Sequence, residues 1–307
     1  MISYAQNAED VVLARVFAGQ ANGRYVDLGA GYPTRDSVTK HFYDLGWRGV
    51  NVEPEPALAD ELDRERPEDV NVRVAVGAAP GTTVLHVVDG QWGRATVDDS
   101  LAQQYSEDWA VRDVEVEVVT LAELLDRHPG PVDFLKVDVE GAERAVIEGA
   151  DWTRHRPRVL VVEATEPGSP KPAHDEWEPM LLAAGYRCGL FDGLNRFYAP
   201  AEDSDALAAL AAPANVFDDY ERYAAFEIRE ERDQLRQARP SEVAYIRRLE
   251  ETVEAAQQAR GELGAQLDAA QRELAQARRT AEEHRRRAAA LEHRVAELEA
   301  QPGVRRY

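Results

Sequence analysis

Five acidic side chains stand at or just past the ends of short apolar runs: Asp27, Glu53, Asp138, Glu140 and Glu163. The first belongs to YVDLGAGYP (25–33), where an aspartate inside an apolar run is followed by Gly29 and Gly31. Two glycines at a strand end let the backbone approach a ligand closely. The dinucleotide pattern G-x-G-x-x-G is incomplete, because Thr34 holds its third position. A carboxylate at this place also opposes a pyrophosphate, the group that a helix N-terminus otherwise receives there. It suits a cationic ligand. S-adenosylmethionine (SAM), with an ammonium, a sulfonium and no phosphate, has that chemistry.

Glu53 ends the next apolar run, GVNVEP (49–54), 24 residues after Gly29. A carboxylate there accepts hydrogen bonds from both hydroxyls of a ribose. It argues for an adenosine ligand of either kind. Val76, closing NVRVAVG (71–77), falls where an adenine edge would lie. Asp27, Gly29, Gly31, Glu53, Val76 and Asp138 form the expected cofactor set.

FLKVDVEGAE (134–143) places Lys136, Asp138 and Glu140 at alternating positions near a strand end. It is too charged to be core alone. Asp138 is expected to meet the methionine end of the donor or an acceptor hydroxyl. Glu140 either caps a helix starting near Gly141 or faces the acceptor. Glu163 ends RVLVVEA (158–164), and its carboxylate beside that of Asp138 gives two oxygen ligands for a divalent cation such as Mg²⁺, a weak metal signal. Methyl transfer to an alcohol is mostly positioning, with a base to take the proton. The bases to weigh are Asp138 and His174, the latter in the loop SPKPAHDEWEP (169–179). His41 reads as packing, His86, His128 and His155 as surface or strand-face residues, and His284 and His293 belong to the C-terminal stretch.

The elements that must hold these residues alternate. Strands are expected at 24–29, 49–54, 71–77, 83–88, 114–120, 132–141, 158–164, 186–191 and 195–200, with helices at 36–45, 57–66, 121–128, 142–149 and 177–184. Such alternation implies right-handed crossovers and a mainly parallel α/β sheet. DGLN (192–195) is a hairpin turn, so the sheet should end in an antiparallel pair. From about Tyr223 the pattern changes to alanine, arginine, glutamate, glutamine and leucine. One heptad frame runs from Ile246 to Leu298, with seams Ile246, Val253, Arg260, Leu267, Leu274, Ala281, Ala288, Val295 and Leu249, Ala256, Leu263, Ala270, Ala277, His284, Leu291, Leu298. This is a coiled-coil pattern. Alanines weaken it, Arg260 and His284 interrupt it, and its stability needs a partner strand. Three regions follow: a catalytic domain at 1–222, a helical coiled coil at 223–301 and a loose tail at 302–307.

The net charge of −21 lies wholly in residues 1–240, because residues 241–307 carry twelve basic and twelve acidic side chains. An acidic surface excludes nucleic acid as a partner of the folded part. No run approaches the ~18 apolar residues of a membrane span, and the N-terminus lacks the basic and apolar regions of a signal peptide. Cys188 is the only cysteine, so no disulfide forms within one chain. These features fit a cytoplasmic chain.

YAQNAEDVVLARVF, YVDLGAGYPTRDSVTKHFYDLGWRGVNVEPEP, LKVDVEGAERAVIEGADW and FDGLNRFYAP, in that order, resemble the FkbM family of SAM-dependent methyltransferases over roughly residues 2–220. The resemblance implies a Rossmann-like class I methyltransferase fold with a seven-stranded sheet, SAM as donor and O-methylation. The donor positions fall on Asp27, Gly29, Gly31 and Glu53, and the acidic motif on Asp138, Glu140 and Gly141. YAQNAED would cover the donor site, with Gln6 and Asp10 in contact, or would simply start a helix capped by Asn7. Asn195 and Arg196 would face the acceptor. GLNRFY with a preceding WEP is similar to members associated with polysaccharide and lipopolysaccharide assembly, which implies a sugar hydroxyl as acceptor. Other members act on macrolide-type natural products. One departure stands out: relatives tend to have Glu-His after FYAP, and this chain has Glu202-Asp203. The coil lies outside the family pattern and is expected to join two copies or to dock a glycan-assembly partner. The competing readings are an NAD-type oxidoreductase and a non-catalytic scaffold with a degenerate domain.

Overall fold

Four short strands buried on both faces set the architecture, as parallel strands covered by helices must be. The computed structural model describes residues 1–90, 95–238 and 243–299. Its strands are β1 (Ile2–Ser3), β2 (Arg24–Leu28), β3 (Arg48–Val52), β4 (Val70–Val72), β5 (Ala75–Gly77), β6 (Gly81–Val88), β7 (Val111–Thr120), β8 (Phe134–Val137), β9 (Val159–Glu163), β10 (Tyr186–Phe191), β11 (Asn195–Pro200) and β12 (Glu221–Arg222). Its α-helices are α1 (Glu9–Val16), α2 (Lys40–Asp44), α3 (Pro56–Glu65), α4 (Asp99–Tyr105), α5 (Leu121–Arg127), α6 (Glu143–Glu148), α7 (Glu178–Ala183), α8 (Ser204–Ala209), α9 (Tyr223–Ala238) and α10 (Val243–Glu299). The chain divides into two compact units, Met1–Glu227 and Ile228–Tyr307.

In the first unit a seven-stranded sheet runs in the order β10-β11-β9-β8-β2-β3-β4. β9, β8, β2, β3 and β4 are parallel, and β11 joins antiparallel to β9 and to β10. Asp27 lies level with Asn51 on one side and Lys136 on the other. The hairpin turn after β10 is closed by Asp192, whose Oδ1 accepts from the amides of Leu194 and Asn195. Alternate residues along the strands feed opposite layers. Val26, Leu28, Leu135, Val137, Leu160 and Val162 form one core. Tyr25, Phe134, Val159 and Val161 join Phe17, Phe42 and Trp47 in an aromatic core on the other face.

Four expected elements come out differently. The stretch 71–77 is two strands, not one: β4 ends the large sheet and β5 enters a second sheet of order β5-β7-β6. The runs at 83–88 and 114–120 are the arms β6 and β7 of that sheet, paired antiparallel from Gly81↔Val118 to Val88↔Val111. The helix expected over 36–45 keeps only Lys40–Asp44, because Thr39 directs its hydroxyl to Asp27 (3.1 Å) and makes no cap. Asn7 does not cap α1 either. Ala8 holds the cap position, and Glu9 Oε2 accepts from the Asn7 amide at 2.8 Å.

The second unit includes the 57-residue helix α10, about 85 Å long at ~1.5 Å per residue. Leu249, Val253, Leu263, Leu267 and Leu274 are exposed along it, while Ile246 is buried. Side chains of the heptad frame beyond 288, and the tail at 302–307, lie outside the described residues. No described helix is long and apolar enough to cross a membrane.

Candidate active site

The strand tips of β2, β3, β8 and β9, together with β5, border a cavity of about 750 Å³. That volume lies within the range of small-molecule sites, and the carboxyl ends of parallel strands are where such sheets bind ligands.

At the end of β2 the chain turns sharply. The Gly29 and Ala30 amides donate to the Val52 carbonyl at 3.0 and 3.1 Å. Gly29 has φ +71°, and a Cβ on it would sit 1.8 Å from the Asp138 carbonyl oxygen. Only glycine fits that approach. Gly31 has φ +60° and nothing within 4 Å of an added Cβ, so it keeps the cavity open. Its amide donates to Glu53 Oε2 at 2.9 Å, and Glu53 Oε1 accepts from the Glu55 amide at 2.9 Å. Each oxygen keeps a second lone pair for a ligand hydroxyl. Burial pushes the Glu53 carboxyl up to about 7, against the pull of those two amides.

Lys136 organises the floor. Its Nζ donates to the Gly29 carbonyl at 2.9 Å and lies 3.3 Å from both Asp27 Oδ1 and Asp138 Oδ2. Burial alone would pull its pKa down, but the charges of Asp138 and Asp27 raise it instead. Asp27 therefore does not open on the cavity: it is 1% exposed, does not line it, and is shared between Lys136 and Thr39. The fully buried Arg66 extends this network, donating to Asp69, Tyr25, Thr39 and the Pro33 carbonyl that follows the glycine turn.

On the far side Asp138, Glu140 and Glu163 all line the cavity. Glu140 has φ +53°, a left-handed conformation costing roughly 1–2 kcal/mol for a residue with a Cβ. Three bonds hold that turn: Thr96 Oγ1 donates to the Glu140 carbonyl at 3.1 Å, and Glu143 Oε1 accepts from the Val139 and Gly141 amides. Glu143 is thus the capping carboxylate, and Glu140 is left facing the cavity. Glu163 is raised far above the usual carboxylate range by burial and by Asp138, Glu140 and Glu143, and it hydrogen-bonds Asp138. Its Oε2 is buried with no partner. Burial and the neighbouring carboxylates favour its neutral, protonated form.

Three expected residues are placed elsewhere. His174 does not line the cavity. The loop before it folds back through Ala173 N to Ala164 O, bringing Thr165 and Gly168–Pro170 to the rim and leaving the histidine beside Trp177 and Glu178. No cavity-lining residue is a histidine. Asn195 is buried level with Glu163 and donates to Glu9 Oε1 at 2.7 Å. Arg196 pairs with Glu178 and lies over the Phe191 ring. The hairpin reaches the cavity with Gly193 and Leu194 instead. Of the N-terminal pair, Gln6 lines the cavity, whereas Asp10 is buried and accepts from Ser3 and Tyr4.

A family profile described as the methyltransferase FkbM domain matches residues 19–188, more than half of the chain. The chain belongs to the FkbM methyltransferase family. No curated protein sequence matches it. Among solved structures, a TehB-like SAM-dependent methyltransferase from Corynebacterium glutamicum aligns at 10% identity and TM-score 0.36, over 62% of this chain and 87% of its own. CalO1, a methyltransferase of calicheamicin biosynthesis with S-adenosylhomocysteine bound, aligns at 16% and 0.30, over 63% and 54%. A SAM-dependent methyltransferase from Leishmania major aligns at 13% and 0.31, over 63% and 72%.

In this FkbM methyltransferase the second sheet supplies a wall that sequence reading misses. Thr83, Leu85 and Val118 from its hairpin, with Thr96, Val97 and Tyr105, line the cavity beside Val76. Lys136 was legible in principle: a lysine inside FLKV must be paired to be buried. As a metal pair Asp138 and Glu163 fit poorly, because Asp138 already has the Lys136 ammonium 3.3 Å away. Among the described residues no group of three or more His, Cys, Asp or Glu side chains is arranged to hold a metal ion.

Proposed function

We propose that this methyltransferase uses SAM to O-methylate a sugar hydroxyl in glycan assembly. One observation carries the reading. A carboxylate on the β3 tip, held by the Gly31 amide of the glycine turn, borders the same cavity as the carboxyl pair Asp138–Glu163. When bound, SAM supplies an electrophilic methyl group on a sulfonium.

Glu53 presents acceptor lone pairs to ribose hydroxyls, and the open space at Gly31 admits the ligand against the backbone. Val76 and Leu58 give an apolar edge for adenine. Asp138 takes the proton of the acceptor hydroxyl. Glu163, whose neutral form is favoured by burial and by Asp138, keeps that carboxylate oriented, and Lys136 fixes its other side. The acceptor reading draws support from hydroxyl-bearing side chains around the cavity, Tyr32, Thr83, Thr96, Tyr105, Thr165 and Ser169, which suit a polyhydroxylated ring better than an apolar macrocycle.

The test is calorimetric titration of the full chain with SAM, S-adenosylhomocysteine and NAD, followed by labelled methyl transfer to a panel of glycosides and macrolactones. Binding of SAM and its product but not NAD, with label in a glycoside, is expected. NAD binding alone, or label only in macrolactones, overturns the reading.

A further inference from the structure

The long helix α10 carries an apolar stripe that is exposed from Leu249 to Leu274 among the described residues. Leu249, Val253, Leu263, Leu267 and Leu274 are 39%, 37%, 65%, 59% and 52% exposed. They all fall at the two seam positions of one heptad frame, with Ala256, Arg260 and Ala270 between them, so they line a single side of the helix. Gly261 and Gly264 lie on the same stretch with nothing within 4 Å. A solitary helix with two glycines and an alanine-rich seam has little to hold it in water.

The charges beside the stripe select what covers it. Glu273 directly precedes the seam residue Leu274, and Arg278 lies four residues after it; both are exposed. In a parallel, in-register pair, the residue before one seam position faces the residue five further on in the other strand. Glu273 then meets Arg278 of the second copy, twice by symmetry. In an antiparallel pair overlapping end to end, Glu273 lies near the centre of the frame and meets its own like-charged counterpart. Arg260 refines this choice. A polar residue at one seam position fixes register at a cost in stability, and a long stem lets the guanidinium reach water from a two-stranded seam. In register the two Arg260 side chains share one layer, whereas sliding by one heptad would set each against an apolar residue, Val253 or Leu267, in two layers.

We propose that α10 pairs with α10 of a second copy of this chain as a parallel, in-register, two-stranded coiled coil, closing the stripe from Leu249 to Leu274. The proposal stands apart from the catalytic reading.

Sedimentation equilibrium of the full chain gives the mass. Twice 34.2 kDa at micromolar concentration is expected; 34.2 kDa, or a mass above the dimer, overturns the proposal. Orientation is read by oxidative cross-linking in a Cys188→Ser background. Ala256→Cys should give a covalent dimer with itself. Failure to do so, with cross-linking only when Ala256→Cys chains are mixed with Ala288→Cys chains, shows an antiparallel pair and overturns it. Glu273→Arg should weaken the dimer about tenfold by turning two attractions into repulsions, and adding Arg278→Glu should restore it. Absence of that restoration also overturns the proposal. These surface changes leave the fold of the first unit untouched, so loss of folding does not confuse the result.

Discussion

Replacing Lys136 by methionine tests the floor of the cavity most directly. The side chains are similar in length, so volume changes little, but three bonds disappear at once. The Gly29 carbonyl loses its donor at 2.9 Å, and the ion pairs to Asp27 and Asp138, both at 3.3 Å, are lost. Removing one partner of a buried pair typically costs ~3–5 kcal/mol. Asp138 is 29% exposed and recovers part of its share from water, whereas Asp27, at 1%, recovers none. A loss of about 3–4 kcal/mol at pH 7 follows, or a Tm fall of roughly 6–16 °C for a unit of this size. The pH dependence carries the signature. In the variant, uncompensated burial raises the folded pKa of Asp27 above its unfolded value. The folded state then binds the extra proton, and stability is retained at low pH and lost as pH rises through the raised value. In the wild type the Lys136 pKa is raised, so its contribution is present below the unfolded lysine value and lost only at strongly alkaline pH. Urea unfolding of both proteins at pH 5 and pH 7.5 should therefore show the deficit shrinking toward pH 5. A deficit under ~1 kcal/mol at pH 7.5, or one independent of pH, would refute the buried-charge account.

Gly29→Ala should abolish donor binding and cost at least ~3 kcal/mol, because the added Cβ meets the Asp138 carbonyl oxygen at 1.8 Å; calorimetry with SAM and thermal unfolding read both effects. Glu53→Ala should weaken SAM by about 1–3 kcal/mol. Because Glu53 is raised to about 7, wild-type affinity should climb between pH 6 and pH 8 as the carboxylate forms, and Glu53→Gln should flatten that rise. Glu163→Gln removes a carboxyl whose folded pKa is raised, a contribution present below the unfolded value and lost at higher pH. The variant should gain stability relative to wild type at pH 9 compared with pH 5, measured by Tm. His174→Ala should keep methyl transfer within about threefold, since the side chain does not line the cavity; a loss of 10²-fold or more would return the histidine to the reaction.

Much of this arrangement was written in residue patterns. β2, β3, β8 and β9 are short, mostly apolar runs, and such runs belong in the middle of a covered parallel sheet. Carboxylates at their ends were legible as a site because parallel strands all deliver their tips to one edge. The DGLN turn declared the hairpin through an aspartate able to bond two amides ahead. What stayed hidden depends on register. Residues 71–77 show the same alternation on both sides of the break, so nothing local marks the passage from one sheet to the other. Asn195 and Arg196 looked equally able to face a ligand, until pairing of Asn195 with Glu163 and Arg196 with Val162 turned them elsewhere. Asp27 was read as a ligand contact because a motif shows which residue is present and not which neighbour has already engaged it. The choice for Glu140 between capping a helix and facing the cavity was open in the sequence, because a backbone turn of positive φ is invisible in its letters; the bonds to the turn amides fall to Glu143.

The division between β4 and β5 has a consequence for how this enzyme diversifies. The acids that would hold the donor stand on the large sheet, while Thr83, Leu85 and Val118 stand on a hairpin of the small one. Only Arg73 and Val74 separate the last residue of β4 from the first of β5. The paired strands 81–88 and 111–120 thus stand in a different sheet from the strands that lead into Gly29, Glu53 and Asp138. The wall that faces the donor side can therefore be varied on its own sheet, and a library confined to Thr83, Leu85 and Val118 is the economical place to look for altered acceptors.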